Sequence, residues 1–260
     1  MISLCNVSYK IIAKVLAKPL LAKLIVTKQA GFITGRSPTN NIITVQEVAY
    51  SLEQDTTNPH TMLIKVDIEK AYDALEWKAI LAILTRMGFL WTWINWVHAC
   101  ICSVKFAFLI NGQLTDWISN TKVRQRDPLS PYLFILTSQI LIAILNYALN
   151  IDFIHGFDFR LDINFNHLIF GGNLILITRV SRWVARNCNF CIDIYSKVTR
   201  QILNQSKSAI YFPSWLKKKK LTTSLKNILN FRLGSYPFTY LGILIAPKRL
   251  TIHQVKPMVS

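Results

Sequence analysis

The sequence predicts an α+β fold built around an antiparallel sheet. Strand-like and helix-like stretches are mixed without a regular strand-helix-strand repeat, which argues against a parallel, doubly wound sheet. Asn111-Gly112 and Gly171-Gly172 carry turn chemistry between apolar runs and so predict two hairpins. The chain also has ample material for a core, with 52% hydrophobic residues against 17% charged.

Each element follows from local chemistry. Lys10, Lys14 and Lys18 share a helical face beside Ile11, Ile12, Val15 and Leu16, and no acidic residue precedes Glu47. A transit peptide reads similarly, but a basic amphipathic helix belonging to the fold is the preferred reading. Thr61 to Ile68 (TMLIKVDI) is rich in β-formers and predicts a strand ending near Asp67. Asp73-Ala74-Leu75-Glu76 has capping-box form, predicting a helix through Arg86 that Gly88 stops. Leu90 to Ile101, rich in tryptophan, predicts a second helix. Trp91, Trp93 and Trp96 are read as core residues rather than base-stacking platforms.

Val104 to Ile110 and Gln113 to Ile118 supply the arms of the Asn111-Gly112 hairpin. Asp127-Pro128 predicts an N-cap and first helical residue for a long apolar helix. That stretch, Leu129 to Ile151, is uncharged and reaches the ~20 residues a bilayer requires. Its Ser130, Pro131, Ser138, Gln139, Asn146 and Asn150 suit a buried core helix better. His167 to Ile177 supplies the second hairpin, and Lys217 to Lys220 reads as a solvated loop, with a phosphate-binding patch as the alternative.

Charge narrows the partners. Lys and Arg number 30 against 13 Asp and Glu, a net +17. Such an excess favours a polyanion, because each neutralised phosphate releases a bound counterion; nucleic acid and an anionic membrane surface are the candidates. The five cysteines are an odd count with no secretory signal, which argues against a disulfide framework and for a reducing, intracellular location in nucleus or cytoplasm. Cys188 and Cys191 have metal-knuckle spacing, but Cys100 and Cys102 are poorly spaced partners, so free, partly buried thiols are the preferred reading.

Six stretches then carry a resemblance: Met1-Ile2-Ser3-Leu4-Cys5-Asn6-Val7 with Tyr9-Lys10-Ile11-Ile12, "QAGFITGRSPTNNI" from Gln29, "KVDIEKAYDALEW" from Lys65, "RQRDPLSPYLF" from Arg124, "LNQSKSAIYF" from Leu203 and "YLGILIAPKRL" from Tyr240. In this order they resemble the reverse transcriptase domain of LINE-type, non-LTR retrotransposons, particularly those of plants. The resemblance implies a right-hand polymerase: fingers in 1–60, palm with an antiparallel sheet packed on helices in 61–212, and a post-palm segment in 213–260 with the thumb largely missing. It implies an RNA template, a DNA primer or RNA-DNA hybrid, Mg²⁺, and no small-molecule cofactor. The opening falls inside the first motif, which predicts a truncated copy.

One motif departs from the pattern. Where the family reads F-A-D-D, this chain has Phe170-Gly171-Gly172-Asn173. Nucleotide addition by two Mg²⁺ ions requires several carboxylate oxygens converging from neighbouring strands. Of the three family positions, Asp67 keeps its carboxylate, while Gly172 and Asn173 have lost theirs. Asp73 reads as a helix cap and Asp162 lies ten positions before Gly172, so neither replaces the loss. Arg126 stands where the family has a glycine beside template and nucleotide, and Lys122 where it usually has another. By resemblance Tyr72, Arg124, Gln125, Arg126, Lys207 and Arg36 would contact nucleotide or template, each against a bland reading as core or solvated residue. The expectation is an RNA-directed DNA polymerase domain that no longer catalyses. A basic protein that binds RNA or DNA without catalysis is the alternative, and a membrane-associated basic protein using Leu129 to Ile151 a third reading.

Overall fold

The computed structural model describes residues 7–24, 37–54, 60–69, 75–102, 105–119, 127–159, 163–216 and 219–250. Helices α1 (Val7–Leu24) and α2 (Pro38–Gln54) precede strand β1 (Thr61–Glu69), and α3 (Trp77–Arg86) and α4 (Trp91–Cys102) follow it. Short strands β2 (Lys105–Phe106), β3 (Leu109–Ile110), β4 (Gln113–Leu114) and β5 (Ile118–Ser119) then lead to α5 (Ser130–Asn150). Next come β6 (Phe157–Phe159), β7 (Ile163–Phe165), β8 (His167–Phe170), β9 (Asn173–Arg179) and α6 (Arg182–Thr199). The chain continues through β10 (Ile202–Leu203), β11 (Ala209–Tyr211), α7 (Lys219–Leu229), β12 (Arg232–Leu233), β13 (Phe238–Tyr240) and β14 (Ile243–Ile245).

The main sheet runs β12-β11-β1-β9-β8, with β10 also beside β1. Its pairs are antiparallel except at one edge, where β11 and β12 run parallel and α7 makes the crossover. β1 lies at the centre, and Met62, Leu63, Ile64 and Val66 are fully buried. Burial on both faces explains why TMLIKVDI reads as a near-continuous apolar run rather than an alternation. Met62, Ile64 and Val66 pack on one face with Phe134, Ile142 and Leu145 of α5 and Val184, Cys188 and Tyr195 of α6. Leu63 packs on the other with Val45 and Val48 of α2 and Tyr240 and Ile245 of the β13-β14 hairpin.

Both predicted hairpins are present. β3 pairs with β4 across Asn111-Gly112, whose φ values of 49° and 82° are those a type I′ turn requires. β8 pairs with β9 across Gly171-Gly172. Helix α5 is long and apolar enough to cross a membrane, yet Leu133, Phe134, Ile135, Ile142 and Leu145 are buried against the sheet and its helices. Its polar residues are satisfied locally: the Thr137 hydroxyl donates to the Phe134 carbonyl and that of Ser138 to the Ile135 carbonyl.

Five expectations need correction. The predicted capping box does not open α3, which starts at Trp77 with Glu76 extended at its N-cap and making no side-chain cap bond; glutamate is a poor N-cap compared with Ser, Thr, Asp or Asn, and Asp73 lies outside the described residues. Asp127-Pro128 does not start α5 directly. Asp127 instead closes the preceding turn, its Oδ1 accepting the Leu129 N–H at 2.8 Å, and Pro131 takes the first-turn position assigned to Pro128. On α1 the buried residues are Ala13, Leu16 and Ala17, while Ile11, Ile12 and Val15 are exposed, because the small alanines form the face turned to α4 and α5. Trp91 and Trp96 are exposed rather than core, since the inward stripe of α4 is Ile94, Val97 and Ile101; Trp93 stacks on Phe89. Lys219 and Lys220 form the first turn of α7 rather than a loop.

Buried Glu53, at the end of α2, ties that helix to the segment after β11. It accepts hydrogen bonds from the Ser214 backbone N–H at 2.9 Å and from the Ser214 hydroxyl, and pairs with Lys248 at 3.5 Å. Burial pushes its carboxyl up, but the Ser214 bonds and the Lys248 ammonium outweigh that and hold it below the ordinary glutamate value. A depressed folded value means the ionised latch stabilises the fold above the ordinary glutamate range and loses that contribution as pH falls from that range through the lowered folded value. Glu53→Gln is therefore expected to lower stability by about 1–2 kcal/mol at neutral pH. In urea titrations across pH the two proteins should converge below the glutamate range; a constant gap would refute the latch.

Candidate active site

The register of β1 against β9 sets Asp67 directly opposite Asn173. The Ile68 N–H donates to the Gly172 carbonyl at 3.0 Å, one residue beyond that pair. Asp67 and Asn173 are thus a non-hydrogen-bonded pair, the kind in which Cα atoms approach to about 4.5 Å and side chains lie closest. The adjoining two-residue turn has Gly171 at φ 55°, whereas Gly172 has no positive φ, the pattern of a type II′ turn with glycine at its first central position.

A second loop closes on Asp67 from the other side. β10 pairs with β1 at Ile68↔Leu203 and β11 at Lys65↔Ala209, so residues 204–208 loop out beside Asp67. The Asn204 N–H donates to the Asp67 carbonyl at 2.8 Å, and the Asp67 N–H donates to the Ser208 hydroxyl at 3.1 Å. Within the loop the Asn204 side-chain oxygen accepts the Lys207 N–H at 3.1 Å and the Ser206 hydroxyl at 2.7 Å, which presents Lys207 to solvent. Lys65, two residues before Asp67 and on its face, donates from Nζ to the Thr239 carbonyl at 2.8 Å. Burial lowers the Lys65 ammonium below its ordinary value; Arg232 and Lys207 push it the same way, and Asp67 opposes them.

Helix α2 braces the turn from above. The Asn41 side-chain NH₂ donates to the Ile169 carbonyl at 3.2 Å, just before the Gly171 turn. Gln46 grips Ala246, just after β14, through both of its amide atoms, donating to the Ala246 carbonyl at 2.5 Å and accepting the Ala246 N–H at 3.2 Å. The stretches SPTNNI, KVDI, FGGN, NQSKS and YLGILIA thus meet around one point.

Of the residues singled out in the sequence, Asp67, Gly172, Asn173 and Lys207 are brought together. Tyr72, Arg124, Gln125, Arg126 and Arg36 lie outside the described residues, as do Lys122 and Asp162. Lys65, Asn41, Asn204, Ser208 and Arg232 were not foreseen. The spacing of Lys65 from Asp67 could have revealed the first, but Arg232 arrives through a parallel edge strand that no local pattern announces. Cys188 and Cys191 are free and buried on α6, and burial raises both thiols, that of Cys191 to about 11.

A mostly antiparallel sheet thus presents a hairpin turn beside an aspartate. Residues 1–245 match the family model described as reverse transcriptase (RNA-dependent DNA polymerase), and the chain belongs to that family. Its fold is that of the right-hand polymerases. It is similar to a telomerase from Candida albicans, solved in complex with the TWJ fragment of telomeric RNA, at TM-score 0.57 and 11% identity over 92% of this chain and 36% of that one. An apo telomerase from Candida tropicalis matches at TM-score 0.57 and 14% identity over 92% of this chain and 39% of that one. The chain thus spans little more than a third of either telomerase.

Reverse transcriptases generally use Mg²⁺, which favours a shell of hard oxygens supplied in part by carboxylates. The residues here do not fit it: beside Asp67 stand a neutral amide at Asn173 and no side chain at Gly172. Among the described residues no group of three or more His, Cys, Asp or Glu could hold a metal.

Gly171→Ala should cost about 1–2 kcal/mol, because an L side chain at φ 55° is strained. Gly172→Ala should cost less. Thermal denaturation of the two variants checks this, and equal losses would contradict the turn geometry.

Proposed function

We propose that this chain is the reverse transcriptase domain of a plant LINE-type retroelement in which nucleotide addition has been lost and nucleic-acid binding retained. The observation that carries the reading is the Asp67↔Asn173 pair beside Gly172: the register that would converge carboxylates is kept, and the carboxylates are not. The LINE assignment rests on the six motifs, above all KVDIEKAYDALEW and RQRDPLSPYLF. Residues 1–60 would serve as fingers, 61–212 as palm and 213–260 as post-palm segment, in an intracellular setting. Tyr72, Arg124, Gln125, Lys207 and Arg36 would face template or nucleotide, with Arg126 crowding the slot where the motif carries glycine. The net charge of +17 supports a template RNA, primer DNA or hybrid as partner. Restricted apolar exposure on α5 favours this partner over a membrane.

Primer extension on an RNA template should give no product from the unaltered chain with Mg²⁺ or Mn²⁺, and template-dependent product would refute the proposal. Gly172→Asp with Asn173→Asp should recover metal binding before extension, because Arg126 still fills the glycine position.

A stability measurement tests the same geometry without activity. Asn173→Asp sets two like charges directly opposite each other, an arrangement that costs roughly 0.5–1 kcal/mol. The loss should appear in EDTA and be regained when Mg²⁺ is added to the double-aspartate variant; indifference of both midpoints to Mg²⁺ would show that residues 67, 172 and 173 do not converge.

A further inference from the structure

The face that carries Asp67 has an excess of positive charge once its carboxylate partners are gone. Lys65 shares that face, and Ala209 of β11 lies opposite Lys65. Arg232 of β12 lies beside Ala209, placing Arg232 and Lys65 in one row two strands, or roughly 10 Å, apart. Lys207 lies two residues before Ala209, in the loop beside Asp67 whose Asn204 N–H holds the Asp67 carbonyl. Arg232 and Lys207 are both close enough to repel the Lys65 ammonium. Among the described residues the ion pairs to carboxylates involve Lys197 and Lys248, not these three cations. Glu69 follows on the same face, but three cations against Asp67 and Glu69 still leave the balance positive.

We propose that this face binds closely spaced phosphates directly, with no divalent metal between them and the protein. In the metal-dependent arrangement carboxylates recruit cations, and the cations hold the phosphates. With Gly172 and Asn173 in place of two carboxylates, Lys65, Lys207 and Arg232 are left to meet the phosphates themselves. Arginine offers a planar fork suited to two phosphate oxygens and lysine a mobile point charge, so a diphosphate spanning Lys207 and Arg232 matches the chemistry available. The half-buried position of Lys65, tethered at Thr239, fixes one donor near the floor of the site.

This inference rests on the proposed loss of the metal site, and its test separates the two. Inorganic pyrophosphate is titrated calorimetrically into the full chain in EDTA. Binding is expected, weakened about tenfold by Lys207→Ala or Arg232→Ala, since each removes a charged hydrogen-bond donor. Arg186→Ala should change nothing, because Arg186 is exposed on α6, which covers the opposite sheet face. Gly172→Asp with Asn173→Asp should abolish binding in EDTA and restore it with Mg²⁺, reversing the metal dependence. Competition by a short single-stranded oligonucleotide would identify the occupant as a strand backbone, and its absence as a free di- or triphosphate; either supports direct phosphate binding. No pyrophosphate binding in EDTA, or equal binding by the double-aspartate variant, overturns the inference while leaving the inactive-polymerase reading intact. Primer extension by the unaltered chain removes that reading itself.

Discussion

The register of β1 is the constraint on which the rest of the structure depends. Seven consecutive pairs tie it to β9, from Thr61↔Arg179 to Asp67↔Asn173, and further pairs tie it to β10 and β11. A slip of one residue would carry Lys65 and Asp67 to the face occupied by α5 and α6 and turn Met62, Ile64 and Val66 away from their partners there. Each of those three side chains contributes roughly 1.5–3 kcal/mol by burial, and two charges would enter the core in their place. Placement of the site is therefore a by-product of core packing and survives whatever happens to the site's chemistry.

That separation accounts for a chain that keeps a polymerase fold around an altered turn. Two aspartates facing each other across a non-hydrogen-bonded pair repel until a cation sits between them, so a working metal centre is a local liability for the apo fold. Asn173 removes the repulsion, and Gly171 accepts a φ of 55° that an alanine would resist. Both changes favour the hairpin. The supports around it, Asn41 on the Ile169 carbonyl and Asn204 on that of Asp67, are untouched, since they bind backbone and are indifferent to which side chains occupy the turn. Stability and catalysis pull in opposite directions at these positions.

Much of the fold could be read from sequence because its signals are local. β1, the two glycine-containing turns, the helix ending before Gly88 and the core helix after Asp127 each follow from a short stretch of residues. What escaped depends on tertiary partners. The inward face of α1 could not be chosen from its pattern, because Ile11, Ile12 and Val15 are the larger apolar residues, yet Ala13, Leu16 and Ala17 are the buried ones. The tryptophans of α4 were assigned to the core by type, although the phase of Ile94, Val97 and Ile101 leaves Trp91 and Trp96 outside. At the site, Asp67 and the Gly171 turn were legible from motif spacing. Arg232 was not, because its position follows from β12 returning parallel to β11 through α7.

Charge balance links the local site to the whole molecule. A polymerase site holds phosphates between positive side chains and metal ions, and its carboxylates are what allow so many cations to gather. On the proposed reading, neutral residues at 172 and 173 would leave Lys65, Lys207 and Arg232 in a field that admits a divalent cation less easily and still attracts phosphate. The chain's +17 already counts Gly172 and Asn173 as neutral, so aspartates at both positions would make it two units less positive. On the proposed reading, weaker metal affinity and retained affinity for nucleic acid would both follow from one electrostatic change, since removing negative charge weakens the first interaction and strengthens the second.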